Sequence, residues 1–169
     1  RNLSAAEQGL IEASNGFAFQ LLQKVNEGDE NENVFISPLS ISMALGMTMN
    51  GAAGESFSDM RDALGFQGLT QEEINESYSS LLKLLLKLDE SVQISIANSV
   101  WYRDGFLVER SFLDAVKASF EARVDSLDFG NQQSVDHINN WVSDNTREKI
   151  DTIIESIPAD AVMYLINAV

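Results

Sequence analysis

Apolar residues along this chain follow two periods, and the switch between them divides it into helices and strands. Ala18, Leu21, Leu22 and Val25 recur at helical spacing, and the polar run Gly28-Asp29-Glu30-Asn31 predicts a loop after that first helix. Residues 34–36 form a short apolar stretch that predicts a strand. Ser37-Pro38 then opens a long run with no charge before Glu55. Ser37 is placed to cap a helix, and Pro38 at the first helical position gives up only a donor that has no intrahelical partner. Leu39, Met43 and Met47 fall on one stripe of this helix, Ile41, Leu45 and Met49 on another. A helix without a polar face is expected to be buried on all sides. Gly51-Ala52-Ala53-Gly54 predicts a tight turn, followed by a short amphipathic helix of Phe57, Met60, Arg61 and Leu64 that Gly65 stops.

Thr70-Gln71-Glu72-Glu73 has the form of a capping box, and Ile74, Tyr78, Leu81, Leu82 and Leu85 make one face of the next helix. The period then changes to two. Val92, Ile94 and Ile96 alternate with Gln93 and Ser95, predicting a strand of about ten residues that runs on through Tyr102 to a turn at Arg103-Asp104-Gly105. A helix with Phe112, Ala115, Val116, Ser119 and Phe120 inward follows. Residues 123–129 predict a weaker strand, and Val135, Ile138 and Val142 a helix ending near Arg147. Residues 161–169 are apolar on both faces, which predicts a central strand covered on each side. The chain stops inside that strand, so the expectation is an N-terminal portion of a longer domain.

A buried helix makes its hydroxyls conspicuous. Ser37, Ser40, Ser42 and Thr48 must find partners inside a core or cost about 1–3 kcal/mol each. Each could cap the helix or bond back to a carbonyl one turn earlier. Alternatively, together they could form a polar hinge within the core.

Charge and composition narrow the function. Twenty-six acidic against 11 basic residues give a formal charge of −15, which opposes nucleic acid and anionic membrane surfaces as partners. Without cysteine there is no disulfide framework, thiolate nucleophile or cysteine metal site. No apolar run approaches the roughly 20 residues of a membrane span. The glycines at 51 and 54 lack the lysine of a phosphate loop, no calcium-loop pattern occurs, and neither a metal nor a cofactor is expected. A serine hydrolase would need a nearby base, and the single histidine, His137, lies between Asp136 and Ile138 on an amphipathic helix, where a structural role is commoner than a catalytic one. Asn2-Leu3-Ser4 and Asn75-Glu76-Ser77 fit the glycosylation sequon. The chain opens on Arg1, and the expectation is that any signal segment lies upstream.

Six motifs in order carry a family resemblance: residues 33–54, Leu64-Gly65-Phe66, Ile96-Ala97-Asn98-Ser99-Val100-Trp101, Ile138-Asn139-Asn140-Trp141-Val142, residues 146–150, and Leu165-Ile166-Asn167-Ala168-Val169. Spread over nearly the whole chain, they resemble the N-terminal part of a serpin. The resemblance implies an α+β fold, with helices packed around a large, mainly antiparallel sheet. Residues 1–169 would be the N-terminal part of a single serpin domain.

What the resemblance implies for function is a suicide inhibitor of serine proteases, and no enzyme. In inhibitory serpins a reactive loop is cut by the target, and the acyl-enzyme is trapped when the cut loop inserts into the central sheet. That loop lies beyond residue 169, so the target, whether trypsin-, chymotrypsin- or elastase-like, is not encoded here. The other partner implied is the C-terminal remainder of the same serpin, without which this stretch is expected to aggregate or stay partly molten. A non-inhibitory carrier, chaperone or storage protein would share the same motifs. By position, Ser37 and Ser40 match serines of the serpin shutter, the polar cluster governing sheet opening, and Asn167 matches its asparagine. The helix ending near Arg147 resembles the one that lies across the sheet and must yield. Two positions depart from the family pattern. Glu148 stands where Thr-x-Gly-Lys-Ile has glycine, implying a changed turn or a strained one, and Ala161 stands where threonine is common. Lys83 and Lys87 beside Glu72, Glu73 and Glu76 argue against heparin binding through that helix. An exported, extracellular protein is the expected setting.

Overall fold

The structure is a computed structural model, and it describes residues 1–27, 33–89, 91–92 and 94–169; the predicted loop at 28–31 lies outside them. Helix α1 (Ala5–Asn26) starts at a capping box. Ser4 Oγ accepts from the Glu7 amide at 3.1 Å, and the Ser4 amide donates to Glu7 Oε2 at 2.6 Å. Its buried residues are Glu7 and Leu10, near its start. The Leu22 and Val25 spacing marks a helix, but both side chains face solvent, with Phe19 beside them 75% exposed.

Residues 33–36 form no strand, and Phe35 is fully exposed. An extended segment becomes a strand only when a neighbour takes its amides and carbonyls, and none among the described residues does so. Helix α2 (Pro38–Met49) follows with Ser37 at its cap. None of its residues is exposed, as an uncharged helix requires. Gly46 lets it approach its neighbours closely, because a Cβ there would lie 2.9 Å from Tyr78 Cε2 and 3.3 Å from Phe120 Cζ. Helices α3 (Gly54–Ala63) and α4 (Gln71–Leu85) complete the first half. The predicted capping box of α4 is present, with Thr70 Oγ1 accepting from the Glu73 amide and Glu73 Oε2 accepting from the Thr70 amide.

Strand β1 (Ala97–Arg103) is shorter than its sequence pattern. Its antiparallel ladder with β3 (Met163–Ala168) ends at the pair Ala97 and Ala168, and no pairing upstream of Ala97 occurs among the described residues. Helix α5 (Arg110–Phe120) carries the chain over to β2 (Arg123–Leu127), a crossover that makes β1 and β2 parallel. Helix α6 (Gln132–Asn145) precedes β3. Among the described residues the sheet order is β2-β1-β3, one pair parallel and one antiparallel, with β1 between the other two.

Both faces of the sheet are covered, which accounts for the doubly apolar pattern of β3. On one side Val100, Val124, Met163 and Leu165 meet α2, α4 and α5 in a core that holds Met43, Met47, Tyr78, Phe112 and Phe120. On the other, Trp101 and Ile166 pack with Ile138 and Val142 of α6 and with Phe129.

Helix α6 ends in a left-handed turn. Arg147 and Glu148 have φ of 54° and 59°, and the Glu148 amide donates to Ser143 O at 2.8 Å, closing the last turn. The glutamate therefore keeps the conformation that glycine would take without strain.

Candidate functional site

The register of β1 and β3 sets Asn98 opposite Asn167. Asn167 Nδ2 donates to Asn98 Oδ1 at 2.6 Å and lies 3.5 Å from Met43 Sδ on α2. Asn98 Nδ2 in turn donates at 2.7 Å to the carbonyl of Phe120, one of the last carbonyls of α5, which has no partner within its own helix. A chain of polar contacts thus joins the end of α5, both strands and the middle of α2. Asn98 is 4% exposed. Asn167 Oδ1 is buried and accepts no hydrogen bond among the described residues.

Of the three residues singled out in the sequence, only Asn167 belongs to this chain. Ser37 Oγ accepts a long 3.4 Å bond from the Ser40 amide, which is a helix cap. Ser40 Oγ makes no hydrogen bond among the described residues, and neither serine bonds Asn167. The α2 residue beneath Asn167 is Met43, one turn further on. Sequence reasoning passed over Asn98, whose signal was an amide in phase with Val100 on the inner face of an apolar strand.

The remaining hydroxyls of α2 divide. Thr48 Oγ1 donates to Ala44 O at 2.8 Å, the bond one turn back that its position allows. Ser42 instead reaches α4. Tyr78 O–H donates to Ser42 O at 3.1 Å and accepts from Ser42 Oγ at 2.6 Å. Burial pushes the Tyr78 phenol above its ordinary pKa and the Ser42 bond opposes that shift, so the pair is neutral and fully satisfied.

Other candidates resolve as structural. His137 is exposed and stacks edge-on against Trp101 with ring centroids 5.3 Å apart. Asn75, in the second sequon, exchanges bonds of 2.8 and 3.1 Å with the amide of Asn50, and Ser77 is buried, so that triplet does not present a free acceptor. No group of three or more metal-ligating side chains occurs among the described residues, and no helix of the described residues is long and apolar enough to cross a membrane.

A helix without charge under a sheet, an asparagine bridge between strands and a helix across the opposite face make a specific combination. The family model described as serpin (serine protease inhibitor) matches residues 12–169. Serpin B3 of Homo sapiens is 30% identical, covering 95% of this chain and 45% of its own length. Corticosteroid-binding globulin of Pongo abelii is 29% identical over 98% of this chain and 42% of its own. A thermophilic serpin, Tengpin, solved in the latent state, superposes with a TM-score of 0.84 at 34% identity, over 99% of this chain and 44% of that one. The chain spans under half the length of these relatives. As a family these are protease inhibitors and related binding proteins rather than enzymes. The match extends over nearly the whole sequence and the fold agrees with it, so the chain belongs to the serpin family.

Proposed function

We propose that the protein acts as a suicide inhibitor of serine proteases, its reactive loop supplied by sequence outside these 169 residues and inserted into the sheet after cleavage. The observation that carries this reading is the outer edge of β3. Among the described residues that strand pairs with β1 alone, and Asn167 on it carries a buried Oδ1 that accepts no hydrogen bond from them. A strand arriving at such an edge gains a backbone ladder. In this reading Asn167, bonded to Asn98, and the serines Ser37 and Ser40 at the head of α2, which bond neither asparagine in this arrangement, are the groups whose hydrogen bonds exchange partners when the sheet opens, as close-packed apolar groups cannot. The C-terminal remainder of the domain would complete the sheet. The partner is a serine protease met outside the cell.

The test uses the intact protein. Incubated with trypsin-, chymotrypsin- and elastase-like proteases, it should form with one of them a complex that survives denaturing electrophoresis. Failure across a wide panel would favour a carrier, the reading that the likeness to corticosteroid-binding globulin supports. The serines have their own test in Ser37→Ala and Ser40→Ala. Unchanged stability and unchanged polymerisation would mean that those serines only cap the helix.

A further inference from the structure

Two asparagine-glycine pairs occur in the chain, Asn15-Gly16 and Asn50-Gly51. Such a pair is chemically fragile, because a glycine nitrogen has no neighbouring side chain to hold it away from the asparagine amide carbon. Asn15-Gly16 lies in the middle of α1, whereas Asn50 is the residue at which α2 ends and Gly51 follows outside the helix. Helix ends open before helix middles, so the second pair is the more vulnerable.

The Asn50 side chain joins two helices. Its Nδ2 donates to Gly46 O at 2.9 Å and to Asn75 Oδ1 on α4 at 3.1 Å, and its Oδ1 accepts from Asn75 Nδ2 at 2.8 Å. Asn75 is held in turn by Gln71 Nε2, which donates to the same Oδ1 at 3.0 Å. Gly51 lies against α5, where a Cβ would come within 3.1 Å of Phe112 Cδ2, so a side chain that would shield the bond has little room. The Gly51 amide donates to Thr48 O at 2.9 Å.

We propose that Asn50-Gly51 is a self-modification site, closed in the folded protein by the amide pair with Asn75 and opened when that pair breaks. In the reaction the Gly51 nitrogen attacks Asn50 Cγ, the new N–C bond closes a succinimide ring, and Nδ2 leaves as ammonia with the proton of the Gly51 amide. Water then opens the ring at either carbonyl, leaving aspartate or isoaspartate. Gly51 is exposed, and no other reagent is needed. The folded state blocks each requirement of the attack. The nucleophile is bonded to Thr48 O, the carbon it must reach belongs to an amide fixed by Gly46 and Asn75, and ring closure requires Asn50 to leave its αR backbone at φ −66° and ψ −20°. The product cannot restore the joint. A carboxylate at 50 has no hydrogen to donate to Gly46 O or Asn75 Oδ1, and it puts negative charge at the C-terminal end of α2, where the helix dipole disfavours it. Isoaspartate also adds a carbon to the backbone beneath Phe112. An opening of the α2–α4 joint can therefore become permanent, whether the protein inhibits proteases or carries a ligand.

Incubation of the intact protein at mildly alkaline pH, followed by peptide mapping that separates asparagine, aspartate and isoaspartate, tests the site. Unfolded in urea, the wild type should convert at both pairs, and no conversion at Asn50 would overturn the chemistry. Folded, it should resist at both, and conversion of Asn50 as fast as in urea would overturn the guard. Asn75→Ala removes the partner and should speed conversion at Asn50 about tenfold while Asn15 keeps its rate. An unchanged rate at Asn50, or equal acceleration at both pairs, sinks the proposal. Gln71→Ala loosens Asn75 without touching Asn50 and should give about a threefold rise. If Asn75→Ala does not fold, Gln71→Ala decides alone, and a wild-type rate in it overturns the guard.

Discussion

Replacing Glu148 by glycine should stabilise the protein. At φ 59° the residue sits near the centre of the left-handed region, where an L-residue costs about 1–2 kcal/mol and glycine costs nothing. The side chain is exposed and makes no hydrogen bond or ion pair among the described residues, so its removal gives up no contact. The amide that closes the turn onto Ser143 O is kept by glycine. Against this stands the extra freedom of glycine in the unfolded chain, about 0.5–1 kcal/mol. The net gain is about 0.5–1 kcal/mol, or roughly 1–3 °C in the midpoint of the first thermal transition. Glu148→Ala is the control, because it removes the charge while keeping the strain. Scanning calorimetry of wild type, Glu148→Gly and Glu148→Ala under one buffer separates the causes. A midpoint for Glu148→Gly at or below wild type would refute the strain, and an equal rise in Glu148→Ala would assign the effect to charge.

Gly46→Ala should destabilise by about 1–2 kcal/mol in denaturant unfolding although alanine is the better helix former, because its methyl meets a Tyr78 ring held by Ser42 and by Phe120, 4.9 Å away; a stabilised variant would show that the ring can move. Tyr78→Phe should cost about 1–3 kcal/mol by stranding Ser42 Oγ, and Ser42→Ala should restore part of that loss when added to it; additive losses in the double variant would break the pairing. Glu7 is held well below the usual carboxylate range by the Arg1 guanidinium at 2.7 Å and then by the Ser4 amide. A depressed pKa gives stability that is full above the ordinary glutamate value of 4.5 and is lost as pH falls below it. The stability gap between wild type and Glu7→Gln should therefore be constant near neutrality and narrow in acid, and a gap that widens in acid contradicts the assignment.

What the sequence disclosed was set by local signals. Ser37-Pro38 before an uncharged run was enough to start and bury α2, and the box at Thr70 and Glu73 fixed the start of α4. Strand ends were not legible, since a strand extends only as far as its partner. The alternation from Val92 reads as strand, but among the described residues pairing begins at Ala97, opposite Ala168. The stretch at 34–36 has strand composition but no pairing strand among the described residues. Asn167 could be named from its motif, whereas its partner Asn98 required the register. Arg103 reads in sequence as a turn residue, and nothing local connects it to the carbonyls of Ala159 and Ala161, to which its guanidinium donates at 2.6 to 3.0 Å.

The partners that Arg103 has chosen carry a consequence for solution conditions. Carbonyls do not titrate, and a hydrogen bond to them at contact distance is little affected by the salt that screens exposed charges over about 10 Å at 0.1 M. The exposed pairs Lys24–Glu27, Arg110–Asp114 and Arg123–Asp125 weaken in acid or brine. The fastening between the end of β1 and the approach to β3 has no such weakness. In a molecule of charge −15, whose periphery responds to every change of ionic strength, that joint would keep its grip from dilute buffer to strong salt.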